Sequence, residues 1–124
     1  MIRKTRFVIA VPDLERSMRF YRDVLGFQVL DIDAPGWGFF VRDAAFIMAG
    51  ECRDAIDPHA LGDHSYFAYL EVDEIDDLYA SVTAQGTNVV KKIQNEPWGM
   101  REFGIRTVDG HRLMFASPTL TVGL

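Results

Sequence analysis

The sequence predicts an α+β fold made of two tandem modules, each with the element order βαβββ. Two observations carry this prediction. The motif Val11-Pro12-Asp13-Leu14 recurs in similar form as Val72-Asp73-Glu74-Ile75, at an offset of 61 residues. At the same offset, Trp37-Gly38 recurs as Trp98-Gly99. Between these anchors, each half contains an apolar strand, an amphipathic helix that ends at glycine, and then further strand-like runs.

The first half opens with a strand-like run from Arg6 to Val11. Asp13 is placed to cap the following helix, because its carboxylate can accept amide hydrogens of the first turn. Gly26 supplies a left-handed stop. Apolar residues recur between them at helical spacing, namely Leu14, Met18, Tyr21 and Leu25.

The second half repeats this pattern, with a strand from Tyr66 to Val72 and a helix that ends at Gly86. Asp73, followed three residues later by Asp76, resembles a capping box at the start of this helix. The apolar stripe consists of Ile75, Leu78, Tyr79 and Val82.

Three short strands follow each predicted helix, and turn residues separate them. The strands are 27–31, 38–42 and 45–49 in the first half, and 88–93, 100–106 and 112–116 in the second. The turns contain Pro35-Gly36, Arg42-Asp43 and Val108-Asp109-Gly110. We therefore expect one domain of residues 1–124, in which module 1 spans about 1–50, a linker about 51–63, and module 2 about 64–124.

Composition excludes several classes of function. The chain has 13 basic and 18 acidic residues, and its basic residues are scattered, so a nucleic-acid partner is not expected. The apolar run after the basic first residues is too short for a signal sequence or a membrane span. The one cysteine, Cys52, makes no internal disulfide, in agreement with a reducing compartment. We expect an inert thiol and a cytoplasmic protein without a membrane partner.

The run from Val11 to Phe27, with its Phe20-Tyr21 and Leu25-Gly26-Phe27 groups, resembles the vicinal-oxygen-chelate superfamily of glyoxalases, bleomycin-resistance proteins and extradiol dioxygenases. The run from Pro97 to Arg106, followed by Asp109-Gly110, is similar to the bleomycin-resistance branch in particular. This resemblance covers nearly the whole chain. It implies a strongly curved mixed sheet in each module with helices outside, two sheets that enclose a cup, and a homodimer that completes it. Trp37 and Trp98 would then stand at related places around two clefts.

Metal-dependent members of the superfamily place four ligands in this cup, on the first, fourth, fifth and eighth strands. Counting from the motifs, the corresponding positions here are Arg6, Met48, Phe67 and Met114. A divalent cation prefers imidazole nitrogen or carboxylate oxygen, which none of these side chains offers, and their strand neighbours are no better. His59, His64 and His111 fit solvated positions outside the strands, and the alternative is an unorthodox metal site that they form with Asp57, Asp63 or Asp109, which no ligand spacing favours. The sequence therefore predicts no metal at the usual site, no cofactor and no catalytic residue.

The predicted cup is instead apolar and polarizable, with isolated positive charge from Arg6 and Arg112. Such a cavity suits an aromatic or extended organic ligand. Trp98 would stack on a planar ring, as the corresponding tryptophan does in the drug-binding branch. The predicted ligand-binding residues are Arg6, Trp37, Phe39, Met48, Phe67, Tyr69, Trp98 and Met114, with Phe46 on the same face.

Each of these residues also has a structural interpretation. Trp37 and Trp98 are equally compatible with core or dimer-contact positions, and the two methionines with space filling. Arg6 either pairs with Glu71, which shares its inward parity, or anchors an anionic group of a ligand.

Three functions remain after these arguments. The first is a metal-free protein that binds a small molecule, with antibiotic resistance of the bleomycin kind as one form. The second is a lyase, isomerase or dioxygenase of the same superfamily whose metal site is displaced or absent. Without a metal, such an enzyme needs another electrophile and a base, and only Arg6 with Glu71 can be proposed for these roles. The third is a regulatory protein whose cup is filled by its own side chains. The resemblance does not decide among them, because one fold hosts many activities.

Overall fold

The computed structural model describes residues 1–119. The chain divides into two compact units, of which the first is Met1–Ala60 and the second begins at Leu61. The boundary falls inside the stretch of low periodicity that separates the repeats. Each unit contains one helix and one four-stranded mixed sheet.

The elements of module 1 are β1 (Phe7–Val11), α1 (Leu14–Asp23), β2 (Gln28–Val29), β3 (Trp37–Arg42) and β4 (Ala45–Glu51). Its strands lie in the spatial order β1-β4-β3-β2. Strand β1 runs parallel to β4, and the other neighbours are antiparallel.

The elements of module 2 are β5 (Tyr66–Glu71), α2 (Ile75–Ala84), β6 (Asn88–Asn95), β7 (Met100–Arg106) and β8 (Arg112–Pro118). A 3-10 turn, Pro58–Ala60, precedes them in the chain. The module repeats the topology of module 1, with the order β5-β8-β7-β6 and a parallel pair between its first and last strands. The predicted α+β class with two tandem βαβββ modules is therefore confirmed.

Helix α1 begins and ends where the sequence indicated. The carboxylate of Asp13 accepts a hydrogen bond from the amide of Arg16 at 3.1 Å, which satisfies one of the free donors of the first turn. Gly26 adopts φ = +70°, a conformation that other residues rarely take. Of the predicted apolar stripe, Tyr21 is fully buried and Leu25 is almost fully buried.

The predicted capping box of α2 is wrong. The residue that precedes α2 is Glu74, which has φ = 52° and makes no side-chain capping bond. Because the chain enters this helix through a left-handed residue, Asp73 does not occupy the N-cap position. The carboxylate of Asp76 accepts a hydrogen bond from the guanidinium of Arg101 at 2.8 Å instead, which ties the first turn of α2 to β7.

Each helix packs on one side of its own sheet through aromatic rings. In module 1, Tyr21 of α1 stacks on Phe40 of β3 with ring centres 4.8 Å apart. In module 2, Tyr79 of α2 meets Phe103 edge to face at 5.0 Å, and Phe103 stacks on Phe115 at 5.3 Å. Since strand side chains alternate between the two sides, each sheet keeps a second side, here called its far face, that points away from its helix.

Neither helix in residues 1–119 has the length and apolar character that crossing a membrane requires.

Candidate functional site

The far face of module 2 is centred on a buried carboxylate. Glu102 lies on β7 between Arg101 and Phe103, and only 2% of its surface is exposed. Its parity places it on the side opposite the ring of Phe103. A carboxylate in this position requires hydrogen-bond donors, because burying an unpaired charge costs several kcal/mol.

Three side chains from separate elements supply those donors. The hydroxyl of Tyr69 on β5 donates to Oε1 of Glu102 at 2.8 Å, and the indole Nε1–H of Trp98 donates to the same oxygen at 3.1 Å. The ammonium of Lys91 on β6 donates to Oε2 at 2.6 Å and also contacts Glu96 at 2.9 Å. We call Tyr69, Lys91, Glu96, Trp98 and Glu102 the Glu102 cluster.

The contacts of the cluster shift the pKa values of Tyr69, Lys91 and Glu96. Burial raises the pKa of Tyr69 to about 12, and its hydrogen bond to Glu102 acts in the same direction. Burial alone lowers the pKa of Lys91, but its hydrogen bonds to Glu102 and Glu96 outweigh this effect and leave the pKa above its usual value. Hydrogen bonds from Gln94 and Lys91 hold the pKa of Glu96 below its usual value. Tyr69 is therefore a neutral phenol and Lys91 a cation.

Trp98 lies in the turn between β6 and β7, which Gly99 closes with φ = +84° and an amide hydrogen bond to the carbonyl of Glu96. Its ring edge is held by Glu102, and the ammonium of Lys91 lies 5.7 Å from its centre. The side chain is nevertheless 46% exposed, and Tyr69 is 43% exposed. The arrangement combines a fixed ring orientation with accessible aromatic surface.

A second tyrosine, Tyr66, covers the middle of the same face. A Cβ atom added at Gly104 would lie 3.0 Å from the ring of Tyr66, so the absence of a side chain at Gly104 makes room for that ring. The guanidinium of Arg112 lies 5.9 Å from the ring centre of Tyr66 and pairs with Asp63 at 3.1 Å.

The far face of module 1 gathers most of the candidate residues predicted in that half. Met48 of β4 pairs with Val8 and with Phe39 of β3, and the ring of Phe39 meets that of Phe46 at 6.4 Å. Trp37, at the start of β3, lies over Gly50, where an added Cβ atom would come within 2.9 Å of the indole.

Arg6 lies just before β1, with its guanidinium 4.9 Å from the ring centre of Phe46. This contact agrees with the predicted inward parity of Arg6. Its pairing with Glu71 stays a prediction.

The predicted residues thus form two groups. Module 1 brings together Arg6, Phe39, Met48 and Trp37, and module 2 brings Tyr69 and Trp98 into the Glu102 cluster, with Met114 beside Tyr69 in the strand register. Phe67 falls where the β5–β8 register shifts, between Tyr66 and Ala68, and its ring contacts His111 at 5.8 Å.

The structural relation between the two tryptophans differs from the sequence repeat. Trp37 pairs with Gly50 of β4. Gly50 also pairs with Ala10 of β1, and Glu71, the residue of β5 that lies 61 positions after Ala10, pairs with Ala116 of β8. Ala116 therefore matches Gly50, and on its other side it pairs with Glu102 of β7. The counterpart of Trp37 is therefore Glu102, and Trp98 precedes that position by four residues, in a turn. Trp37 and Trp98 therefore differ in register within their modules, because the turn before β7 is arranged differently from the one before β3. Their places around two clefts stay a prediction.

Sequence reasoning missed Glu102, Lys91 and Tyr66. Two signals were available. One is a glutamate next to the apolar Phe103 in a strand, which needs partners when buried, and the other is Gly104 inside the same strand, which marks close approach of another group. No local sequence pattern indicated the bulge in β5 that places Tyr66 over Gly104.

A comparison with protein-family models decides the family. The model of the Glyoxalase/Bleomycin resistance protein/Dioxygenase superfamily matches residues 4–115. The chain belongs to this superfamily. No protein with a curated description matches its sequence.

Solved structures of this superfamily's fold resemble the chain over almost its whole length. TioX from Micromonospora sp. ML1 is 20% identical, with a TM-score of 0.77, over 94% of this chain and 99% of that one. TnmS3, an antibiotic binding protein from Streptomyces sp. CB03234, is 22% identical, with a TM-score of 0.77, over 95% and 97%. A glyoxalase/bleomycin resistance protein/dioxygenase from Nocardioides is 18% identical, with a TM-score of 0.75, over 99% and 87%. Identities this low support a shared fold only.

The metal of the metal-dependent superfamily members does not fit the residues of this chain. Met48 and Met114 occupy matching positions on β4 and β8, where their thioethers are poor ligands for a hard or borderline divalent cation. The guanidinium of Arg6 and the ring of Phe67 offer no ligand atom. Across residues 1–119, histidine, cysteine and acidic side chains form no group of three that is placed to hold a metal ion.

The histidines and the cysteine occupy other surroundings. His59 contacts Asp57 at 2.8 Å, His64 is exposed, and His111 is half-buried beside Phe67, which corrects the expectation that all three are solvated. Cys52 is exposed, and its hydrogen bond to Asp54 raises the pKa of the thiol, which makes it a poor nucleophile at neutral pH.

Proposed function

We propose that the protein binds a small organic molecule that contains a planar ring system, and that the exposed indole surface of Trp98 stacks on that ring. The observation that carries this proposal is the hydrogen bond from Trp98 to the buried Glu102, because it fixes the orientation of a ring that remains about half accessible. Tyr69, held by the same carboxylate, offers a second aromatic surface.

Fixed aromatic rings are suited to binding because little rotational freedom is lost when the ligand arrives. In the Glu102 cluster, the cost of ordering Trp98 and Tyr69 is met during folding by hydrogen bonds to a charged acceptor, which are stronger than neutral ones. An aromatic contact of this kind contributes about 0.5–1.5 kcal/mol beyond simple burial.

The ligand class we favour is an antibiotic. The superfamily includes bleomycin resistance proteins, and the similar structure TnmS3 is an antibiotic binding protein. The net charge of −5 favours encounter with a cationic drug such as bleomycin, although this effect influences the rate of association more than its strength.

Acid–base catalysis at this face, as in a lyase, isomerase or dioxygenase, is less well supported. Such a reaction requires a group whose pKa lies near the working pH. The pKa of Tyr69 is about 12, and that of Lys91 lies above its usual value, so both stay protonated at neutral pH. We therefore assign the Glu102 cluster a role in orienting the rings.

We further propose a cytoplasmic homodimer. Val8 and Trp37 on the far face of module 1 are 63% and 42% exposed, which is unusual for apolar side chains that point from the same sheet. Light scattering should give twice the mass of one chain, and cell fractionation tests the location. A monomer at micromolar concentration would contradict the dimer without affecting the ligand proposal.

The test uses the two tryptophans as separate reporters. Because the chain contains only Trp37 and Trp98, the variant Trp37→Phe leaves Trp98 as the sole indole, and Trp98→Phe leaves Trp37. Metal-free bleomycin is titrated into each variant while tryptophan emission is recorded. We expect bleomycin to quench the emission of the Trp37→Phe variant in a saturable way. A third variant, Trp98→Leu, is measured by calorimetry, and we expect it to bind bleomycin about three- to tenfold more weakly than the wild type.

Two results would contradict the proposal. Saturable quenching in Trp98→Phe with none in Trp37→Phe would move the stacking surface to module 1. Equal affinity in the wild type and Trp98→Leu would remove Trp98 from the site altogether.

A further inference from the structure

A cavity of about 480 Å³ lies at one end of module 1, outside the Glu102 cluster. One side is formed by residues 2–5, which precede β1. The other side is formed by Val41 and residues 43–46, which belong to the β3–β4 hairpin. Both polar and apolar side chains line it, and Phe46 is its aromatic wall.

Two cations flank this wall. The ammonium of Lys4 lies 5.0 Å from the ring centre of Phe46, and the guanidinium of Arg6 lies 4.9 Å from it. The two charges are therefore within about 10 Å of each other, a distance at which physiological salt screens their repulsion only in part. Arg3 also lines the cavity.

These cations lack the carboxylate partners that other basic residues have. Arg22, Arg101 and Arg112 each pair with an aspartate within 3.1 Å. Among the described residues of module 1, neither Lys4 nor Arg6 has an ion-pair partner. The acidic residue of the cavity lining is Asp43, in the hairpin turn.

We infer that this cavity binds an organic anion, in which a carboxylate, sulfonate or phosphate group is attached to an apolar ring. The anionic group would form a charge-assisted hydrogen bond with Lys4, which lines the cavity, and the guanidinium of Arg6 beside Phe46 would add electrostatic attraction. The ring would contact Phe46 and Val41. All the residues that line this cavity belong to module 1, and its cations carry a charge opposite to the net charge of the chain.

The test compares two ligands of the same shape, 2-naphthoate, which is an anion, and 2-naphthamide, which is neutral. Binding to the full chain is followed by amide chemical shifts in nitrogen-15 spectra. We expect 2-naphthoate to bind about tenfold more tightly than the amide, to weaken as salt is raised, and to shift the amides of Thr5, Ala45 and Phe46.

Three variants locate the charges responsible. The double variant Lys4→Gln/Arg6→Gln should weaken 2-naphthoate about tenfold and leave 2-naphthamide unchanged. Asp43→Asn should strengthen 2-naphthoate about two- to threefold, since it removes a repelling charge, and asparagine tolerates the left-handed backbone at φ = 51°. Arg53→Gln is the control, because it removes one positive charge of the exposed linker between the modules.

The inference is overturned if the acid and the amide bind equally, if neither binds, if Arg53→Gln weakens 2-naphthoate as much as the double variant does, or if the shifted amides lie outside the cavity. The same titration in Trp98→Leu should leave 2-naphthoate binding unchanged. Loss of bleomycin quenching at Trp98 and loss of 2-naphthoate shifts at Phe46 are therefore separate results, and each proposal fails on its own measurement.

Discussion

Replacing Glu102 by glutamine should destabilise the protein well beyond the effect of an ordinary surface substitution. The wild-type carboxylate accepts from Tyr69 and Trp98 through one oxygen and from Lys91 through the other. Glutamine has the same shape but only one accepting oxygen. If that oxygen faces Tyr69 and Trp98, the amide NH₂ group points at the ammonium of Lys91; if it faces Lys91, the indole N–H of Trp98 loses its acceptor.

The magnitude follows from these contacts. Breaking a buried ion pair costs about 3–5 kcal/mol when the remaining charge has no partner. Lys91 keeps Glu96 at 2.9 Å, and its side chain is 24% exposed, so part of this cost is avoided. A lost hydrogen bond to a charged group is worth about 1.5–3 kcal/mol. We expect Glu102→Gln to lower the free energy of unfolding by about 2–3 kcal/mol.

The assay is urea denaturation at pH 7, followed by far-ultraviolet circular dichroism. The matched control is Glu15→Gln, which removes the same charge from an exposed pair with Arg19 on α1 and should cost less than about 0.5 kcal/mol. Fluorescence anisotropy of Trp98 in the Trp37→Phe background should also fall, because the indole loses its anchor. Equal destabilisation by the two glutamine variants would refute the reasoning that Glu102 holds the site together.

Three further outcomes follow from single residues. The phenol of Tyr69 should ionise with a pKa of about 12, seen as a late phase of absorbance at alkaline pH that Tyr69→Phe removes. Because this pKa is raised on folding, its contribution to stability is complete below about pH 10 and disappears as the pH approaches 12. Asp13→Ala should destabilise the chain by about 1 kcal/mol through loss of the α1 cap, whereas Asp13→Asn should be nearly neutral in the same urea assay. Glu74→Gly should stabilise it by a few tenths to about 1 kcal/mol, since glycine accepts φ = 52° without strain, and a loss of stability would contradict that account.

The order of the elements could be predicted because each element has a local cause. Gly26 and Gly86, at φ = +70° and +77°, stop the helices where the sequence indicated, and Asp13 caps α1. The start of α2 was mispredicted because two acidic residues, Asp73 and Glu74, were both available, and local spacing does not decide which of them enters the left-handed conformation.

The candidate site was predicted only in part. Period-two alternation identified Tyr69 and Met114 on one face, and the repeat drew attention to Trp98, although that residue differs from Trp37 in register within its module. Alternation gives the side on which a residue lies but not its partner across the sheet. Lys91 was therefore not connected with Glu102, which lies on the neighbouring strand.

The sequence by itself predicted two βαβββ modules, because repeats and periodicity are properties of the chain alone. The resemblance to the superfamily added the prediction that the usual metal positions carry arginine, phenylalanine and methionine. Only the tertiary structure decided that Tyr69, Lys91 and Trp98 converge on Glu102. The physical reason is that strand register depends on turn lengths and bulges. A bulge in β5 and a turn before β7 that differs from its counterpart in module 1 set which side chains meet.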